Sequence, residues 1–194
     1  MAKAKMIEQN GAPTLVINGE VYPPMTITTE CADREYLRKL RETGIRIFYV
    51  IANPDWNQPG DPSFQKPPRE CYWFIRPDMS RPGSEVFLSD IRLLFEAVPD
   101  AWVILRLNVC PSVEWINSHP DEWIKYSDGQ PRPMLLTNAS RYTEVASMHS
   151  LCSEVWRKDA DAAIQVFFDQ LEATPYFERV IGVFLCAGGT SEWY

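Results

Sequence analysis

Histidine is nearly absent from this 194-residue sequence, His119 and His149 being the whole complement. With no Cys-x-x-Cys pair and no close histidine–cysteine grouping, a structural zinc site is not expected. Cysteine is sparse as well: Cys31, Cys71, Cys110, Cys152 and Cys186 are scattered singly and odd in number. That is no disulfide framework and reads as buried free thiols. A basic surplus is missing, since 19 Lys and Arg face 26 Asp and Glu for a formal charge of −7. Phosphate contact needs the opposite sign, so neither nucleic acid nor an anionic membrane surface is an expected partner. No apolar run approaches the roughly 18 residues of a membrane span. The start, MAKAKMIEQNGAPT, has Lys3 and Lys5 but no apolar stretch behind them, so no secretory signal is visible and the reading leans to the cytoplasm. The G-x-S-x-G elbow and the G-x-x-x-x-G-K-[ST] phosphate loop are both missing, and Gly188-Gly189 opens no visible helix. Serine-hydrolase, kinase and dinucleotide chemistry therefore have little support, and no cofactor is implied.

What is present is core material. Hydrophobic residues make up 45% and charged residues 23%, enough to bury one core in a single domain or part of one. Residues 1–12 are polar and read as a frayed tail, with the folded region spanning 13–194. TLVINGEVY (14–22) places two short β-type runs around Asn18-Gly19, a strong hairpin signal. A further strand is expected near 25–29. Asp33 can cap a helix that turns Tyr36, Leu37 and Leu40 inward and ends at Gly44. Three apolar runs without polar alternation follow at 45–52, 102–109 and 180–187, as expected of strands buried on both faces. Between them, Ile91, Leu94, Phe95 and Val98 recur at helical spacing after a possible Ser89 cap, and Ala160, Ala163, Ile164, Phe167, Phe168 and Leu171 form the longest apolar stripe. Strands alternating with amphipathic helices predict a parallel α/β sheet with right-handed crossovers.

The connections are lopsided. Helix-to-strand links are short, whereas the strand-to-helix links at 53–88 and 110–145 are long. Ligands of α/β folds sit at the carboxyl ends of strands, so the spare length lies where chemistry is expected. Trp56, Trp73, Trp115, Trp123 and Trp193 fall on those loops with Tyr72, Phe74 and Tyr126. Indole faces suit the flat C–H faces of sugars, although the same rings could simply pack the loops down. Polar residues mark the strand ends: Asn53 follows the first buried run, and Arg106 and Asn108 share a face of the second. The last run leads through Gly188-Gly189-Thr190-Ser191 to Glu192. An arginine within a buried strand needs a carboxylate or a path to water, so Arg106 serves either a structural ion pair or a site.

The region from Trp115 onward resembles the first half of clan-A glycoside hydrolases, especially the β-galactosidase-like family 42. Trp115-Ile116, Pro120-Asp121-Glu122, Asp128-Gly129, Ser153-Glu154-Val155-Trp156-Arg157, Arg179-Val180-Ile181-Gly182 and Ser191-Glu192-Trp193 carry the likeness. It implies a (β/α)₈ barrel of which this chain supplies the first four strands, and it makes Glu192 the acid/base after strand four. Ser191 stands where that family has an asparagine against the sugar 2-hydroxyl, and a serine reaches less far. Retaining glycosidases need a second carboxylate about 5–5.5 Å away as nucleophile. In that clan it follows strand seven, so a four-strand piece is expected to be inactive alone and to associate with the missing barrel half or with itself through open sheet edges. The implied substrate is a carbohydrate, with Asn53, Trp56, Arg106, Asn108, Ser191 and Trp193 as candidate contacts. Two other readings stay open. One is a non-catalytic carbohydrate-binding or scaffold protein with a degenerate barrel; the other is a flavodoxin-like domain, which would need a helix after the fourth strand.

Overall fold

The computed structural model describes residues 2–29, 33–52, 83–111, 113–138, 141–145 and 147–187. The chain opens with a three-stranded antiparallel sheet of β1 (Ala4–Gln9), β2 (Ala12–Ile17) and β3 (Glu20–Tyr22), in that order. Both of its turns are Asn-Gly pairs with positive φ at each residue: Asn10 54° and Gly11 75°, then Asn18 51° and Gly19 91°. This geometry matches the twist of paired strands and admits few other residues. The hairpin at Asn18-Gly19 is as expected, but the frayed tail over 1–12 is not. β1 pairs with β2 from Ala4↔Ile17 to Gln9↔Ala12, and Ala2 N–H donates to the Val180 carbonyl at 2.9 Å. Its polarity reflects a strand that is mostly exposed, not one that is unpaired.

Beyond it run β4 (Thr26–Thr29), α1 (Arg34–Glu42), β5 (Ile47–Ala52), α2 (Gly83–Ala97) and β6 (Trp102–Asn108). Then come α3 (Val113–Ser118), a hairpin of β7 (Met134–Asn138) and β8 (Arg141–Val145), α4 (Glu154–Glu172) and β9 (Val180–Cys186). Strands β4, β5, β6 and β9 form a parallel sheet in chain order. The link from β6 to α4 is thus not one long loop, since α3 and the β7–β8 hairpin are built into it.

The caps explain where helices begin. Asp33 accepts the Tyr36 N–H at 2.8 Å ahead of α1, and Ser153 accepts the Trp156 N–H at 2.9 Å ahead of α4. Gly44, at φ 92°, takes the left-handed turn after α1. Two sequence expectations are corrected. Ser89 lies inside α2 and does not cap it, because helical geometry extends back to Gly83, before the apolar stripe starts. Tyr36 is exposed, while Leu37 is buried and Leu40 half-buried, which narrows the inward stripe of α1.

The two faces of the parallel sheet differ. Phe48, Val50 and Ala52 of β5 and Val103, Leu105 and Leu107 of β6 pack in one core with Leu37 of α1, Ile91 and Leu94 of α2, and Ala160, Phe167 and Leu171 of α4. All three long helices therefore lie on the same face. Burying a large apolar side chain contributes about 1.5–3 kcal/mol, so this layer dominates stability. On the opposite face, the amino end is covered by the antiparallel sheet, where Ile17 packs with Ile47 and Trp102 beside Leu15 and Tyr22. Farther along that face, Tyr49, Ile51, Ile104 and Arg106 are only partly buried.

The amino end is also tied electrostatically. Asp100 accepts from Arg41 Nε at 2.8 Å and Arg46 Nε at 2.6 Å. Burial pushes its carboxyl up, but hydrogen bonds from Arg41, the backbone and Arg46, with the Arg46 charge, outweigh this and hold it below the ordinary carboxylate range. Arg179 lies over the Trp102 ring at 4.5 Å and donates to the carbonyls of Ala101 and Pro99. Among the described residues no helix is long and apolar enough to cross a membrane.

Candidate functional site

The carboxyl ends of β5, β6 and β9 lie side by side. Arg106 sits in the row Ile51–Arg106–Phe184, and Asn108 pairs with Cys186 one step nearer the end. Residues two apart on a strand share a face, so both project from the side of the sheet opposite the helices. The expected common face of Arg106 and Asn108 is therefore observed. Arg106 is half-buried, and Asn108 is nearly fully buried. Asn108 Oδ1 accepts the Cys110 N–H at 3.1 Å, which fixes the turn leaving β6. The ladder continues one step farther, with Val109 N–H donating to the Cys186 carbonyl at 2.9 Å. Asn53, Trp56, Ser191, Glu192 and Trp193 lie outside the described residues.

The loop after β6 is held down by indoles. Trp115 is buried, donates through Nε1 to Asp159 of α4 at 2.8 Å, and stacks on His119 at 4.2 Å. Trp123 donates to the Ile116 carbonyl at 2.8 Å, and Trp156 to the Val109 carbonyl at 3.2 Å. A buried indole N–H ordinarily finds a partner, and these three have one, whereas the buried Trp102 N–H has none among the described residues. For Trp115 and Trp123, packing of the loop is thus the role the geometry supports, in place of a sugar platform. Their bonds position the carboxyl end of β6 through α3 and α4.

A feature missed in the sequence lies beneath them. His149 is fully buried, edge-on to Trp115 at 6.3 Å and tilted against Trp156 at 4.8 Å. Among the described residues neither ring nitrogen has a hydrogen-bond partner, and the buried Ser147 hydroxyl has none either. Burial pulls the imidazole down to a pKa of about 4, so it is neutral at pH 7. A cation over an indole gains about 0.5–2 kcal/mol, too little to offset loss of imidazolium hydration. The only available sequence signal was the alternation of Ser147 and His149 just before the Ser153 cap, because a lone histidine carries no metal spacing.

Comparison with protein-family models, with curated proteins and with solved structures finds no match to this chain.

Proposed function

We propose that this chain is the first half of a (β/α)₈ barrel from a retaining, β-galactosidase-like glycoside hydrolase. The observation that supports the reading most is the single-sided winding. Among the described residues, four parallel strands follow one another in chain order with the three long helices α1, α2 and α4 on one face. A doubly wound sheet of flavodoxin kind reverses strand order and carries helices on both faces. A barrel wall winds in one direction and keeps the other face for its interior. In that reading the antiparallel sheet closes the amino end, and Arg106 and Asn108 face the interior near its mouth.

Glu192 acts as the acid/base, following the last strand past Gly188-Gly189. Protonating the leaving oxygen requires its carboxyl to stay protonated near working pH, which burial and a nearby second carboxylate achieve. Asn53, Trp56, Ser191 and Trp193 would join Arg106 and Asn108 around the sugar. The nucleophile belongs to the second barrel half, which is also the partner that covers the interior face. Without that half, the chain associates with itself through its open edges and does not hydrolyse glycosides.

The test is hydrolysis of aryl and alkyl β-galactosides by the barrel completed with its second half, with and without Glu192→Gln. The substitution should slow substrates with poor leaving groups by roughly 10²–10⁴-fold, leave activated aryl glycosides less affected, and make the slow step rescuable by azide. Equal activity of both proteins on every substrate overturns the assignment. Absence of hydrolysis with retained sugar binding would favour a carbohydrate-binding protein with a degenerate barrel.

A further inference from the structure

Buried polar atoms without partners are uncommon, and each needs a physical reason. Ser147 and His149 lie two residues apart around an isolated antiparallel bridge between His149 and Trp123. The segment they belong to is held by few bonds. Ile124 N–H donates to the Met148 carbonyl at 2.8 Å, Ser150 N–H to the Glu122 carbonyl at 2.7 Å, and Ser153 N–H to the Ser150 carbonyl at 3.0 Å. Its other anchors are Met148 in the main core, Ser153 as the cap of α4, and the imidazole inserted between Trp115 and Trp156. A neutral ring fits there, and a charged one has no described partner to replace its water.

The ionisable groups around this anchor come from four segments. Just after α3, His119 stacks on Trp115, and its Nδ1 lies 2.7 Å from the Trp115 carbonyl oxygen. From α4, the Asp159 carboxylate is engaged by the Trp115 indole, while Glu154, Arg157 and Lys158 are exposed. From the end of β6 comes the buried Cys110 thiol. Glu122 meets the segment through its backbone carbonyl. Among the described residues, none of these is hydrogen-bonded to His149.

We propose that residues 147–152 form an acid-released latch hinged at the Ser153 cap: neutral His149 docks the segment against residues 115–124, and protonation of the imidazole releases it. Release separates Met148 from Ile124 and Ser150 from Glu122, and it unroofs the loop at the carboxyl end of β6. The helix-covered sheet loses Met148 from its core on release, but keeps the mutual packing of β5 and β6 with Leu37 of α1 and Ile91 and Leu94 of α2. The face freed in this way is where α/β folds place ligands, so the latch couples access to acidity.

Hydrogen exchange on the whole chain, corrected for intrinsic rates, reads the latch directly. Between pH 7 and pH 4.5 the amides of Ile124 and Ser150 should lose at least about tenfold in protection, while Val103 and Leu105 keep theirs. His149→Phe should abolish the loss, and His119→Gln should preserve it. Unchanged protection in the wild type, or the same loss in His149→Phe, overturns the proposal. Should His149→Phe fail to fold, the wild-type His149 ring is titrated by NMR. A midpoint coinciding with the loss of Ile124 and Ser150 protection supports the latch, and a midpoint separate from it overturns it.

Discussion

Replacing His149 by phenylalanine should change how stability depends on pH more than it changes stability at neutral pH. In the folded protein the imidazole titrates at about 4, against an ordinary value of 6.5 when unfolded. A base whose folded pKa is depressed favours folding only while neutral. Its stabilisation is complete above pH 6.5 and is lost as pH falls toward 4, because the unfolded chain binds the proton first. Each unit of difference is worth about 1.4 kcal/mol, so the full loss is roughly 3 kcal/mol. About 1 kcal/mol should be gone by pH 5.5 and about 2–3 kcal/mol by pH 4.5.

Those figures are upper bounds for global stability. If the segment around His149 opens before the rest of the chain, the global loss stops at the free energy of that local opening. Urea unfolding of wild type and His149→Phe at pH 7.5, 6.5, 5.5 and 4.5, followed by far-UV circular dichroism, measures the difference. Circular dichroism is preferable to tryptophan emission, because a protonated imidazole against Trp156 would alter the emission without unfolding. Subtracting the variant removes every other titrating group common to both proteins. The wild type should weaken relative to the variant as pH falls. A difference constant across all four pH values would refute the reasoning, whatever its size.

Other positions give sharper expectations for stability. Asp33→Ala removes the side-chain acceptor of the Tyr36 N–H and should cost about 1 kcal/mol in urea unfolding. Leu105→Ala, at the centre of the helix-covered face, should cost about 2–5 kcal/mol and lower the midpoint without changing the denaturant slope. Arg179→Lys keeps the charge but loses the planar fork that donates to Ala101 and Pro99, and calorimetry should show a fall of about 1–3 kcal/mol. Val183, Phe184 and Leu185 are 39%, 50% and 46% exposed on the edge strand β9. Val183→Lys combined with Leu185→Lys should reduce self-association in sedimentation velocity while preserving the far-UV spectrum.

Much of the fold was legible because local and tertiary preferences agree. The runs at 45–52, 102–109 and 180–187 are rich in apolar and β-branched residues and lie in one parallel sheet, but the expected burial on both faces fails for β9, where Val183, Phe184 and Leu185 are exposed at the sheet edge. Asp33 and Gly44 mark the ends of α1 for purely local reasons. Reading failed where exposure hid the pattern. Asn10-Gly11 is the same dipeptide as Asn18-Gly19 and makes the same turn, yet β1 before it is largely polar because most of its residues face water. The amino-terminal part of α2 was lost for a similar reason, since the apolar spacing marked only its carboxyl half. A period of two put Arg106 and Asn108 on one face of β6, as the register shows. No local pattern could show that Trp115 and Trp156, from different helices, would close around His149.

The two partly covered regions of the molecule have a common origin in how the sheet is wound. Crossovers of one hand, repeated in chain order, send α1, α2 and α4 to one side and, among the described residues, leave the other without a helical layer. At the amino end the antiparallel sheet fills that side with Ile17 and Tyr22, which is why Ile47 and Trp102 are buried there. At the carboxyl end, the segments inserted between β6 and α4 are tied to their neighbours, since Trp115 bonds Asp159 of α4, Trp156 of α4 bonds the Val109 carbonyl, and Trp115, Ile116 and Met148 enter the main core. Such an insertion can move without dismantling the sheet, because the ladders between β5, β6 and β9 do not pass through it. The unpaired imidazole lies in this insertion, not in the sheet core, and a site whose roof is less stable than its walls can open while the walls persist.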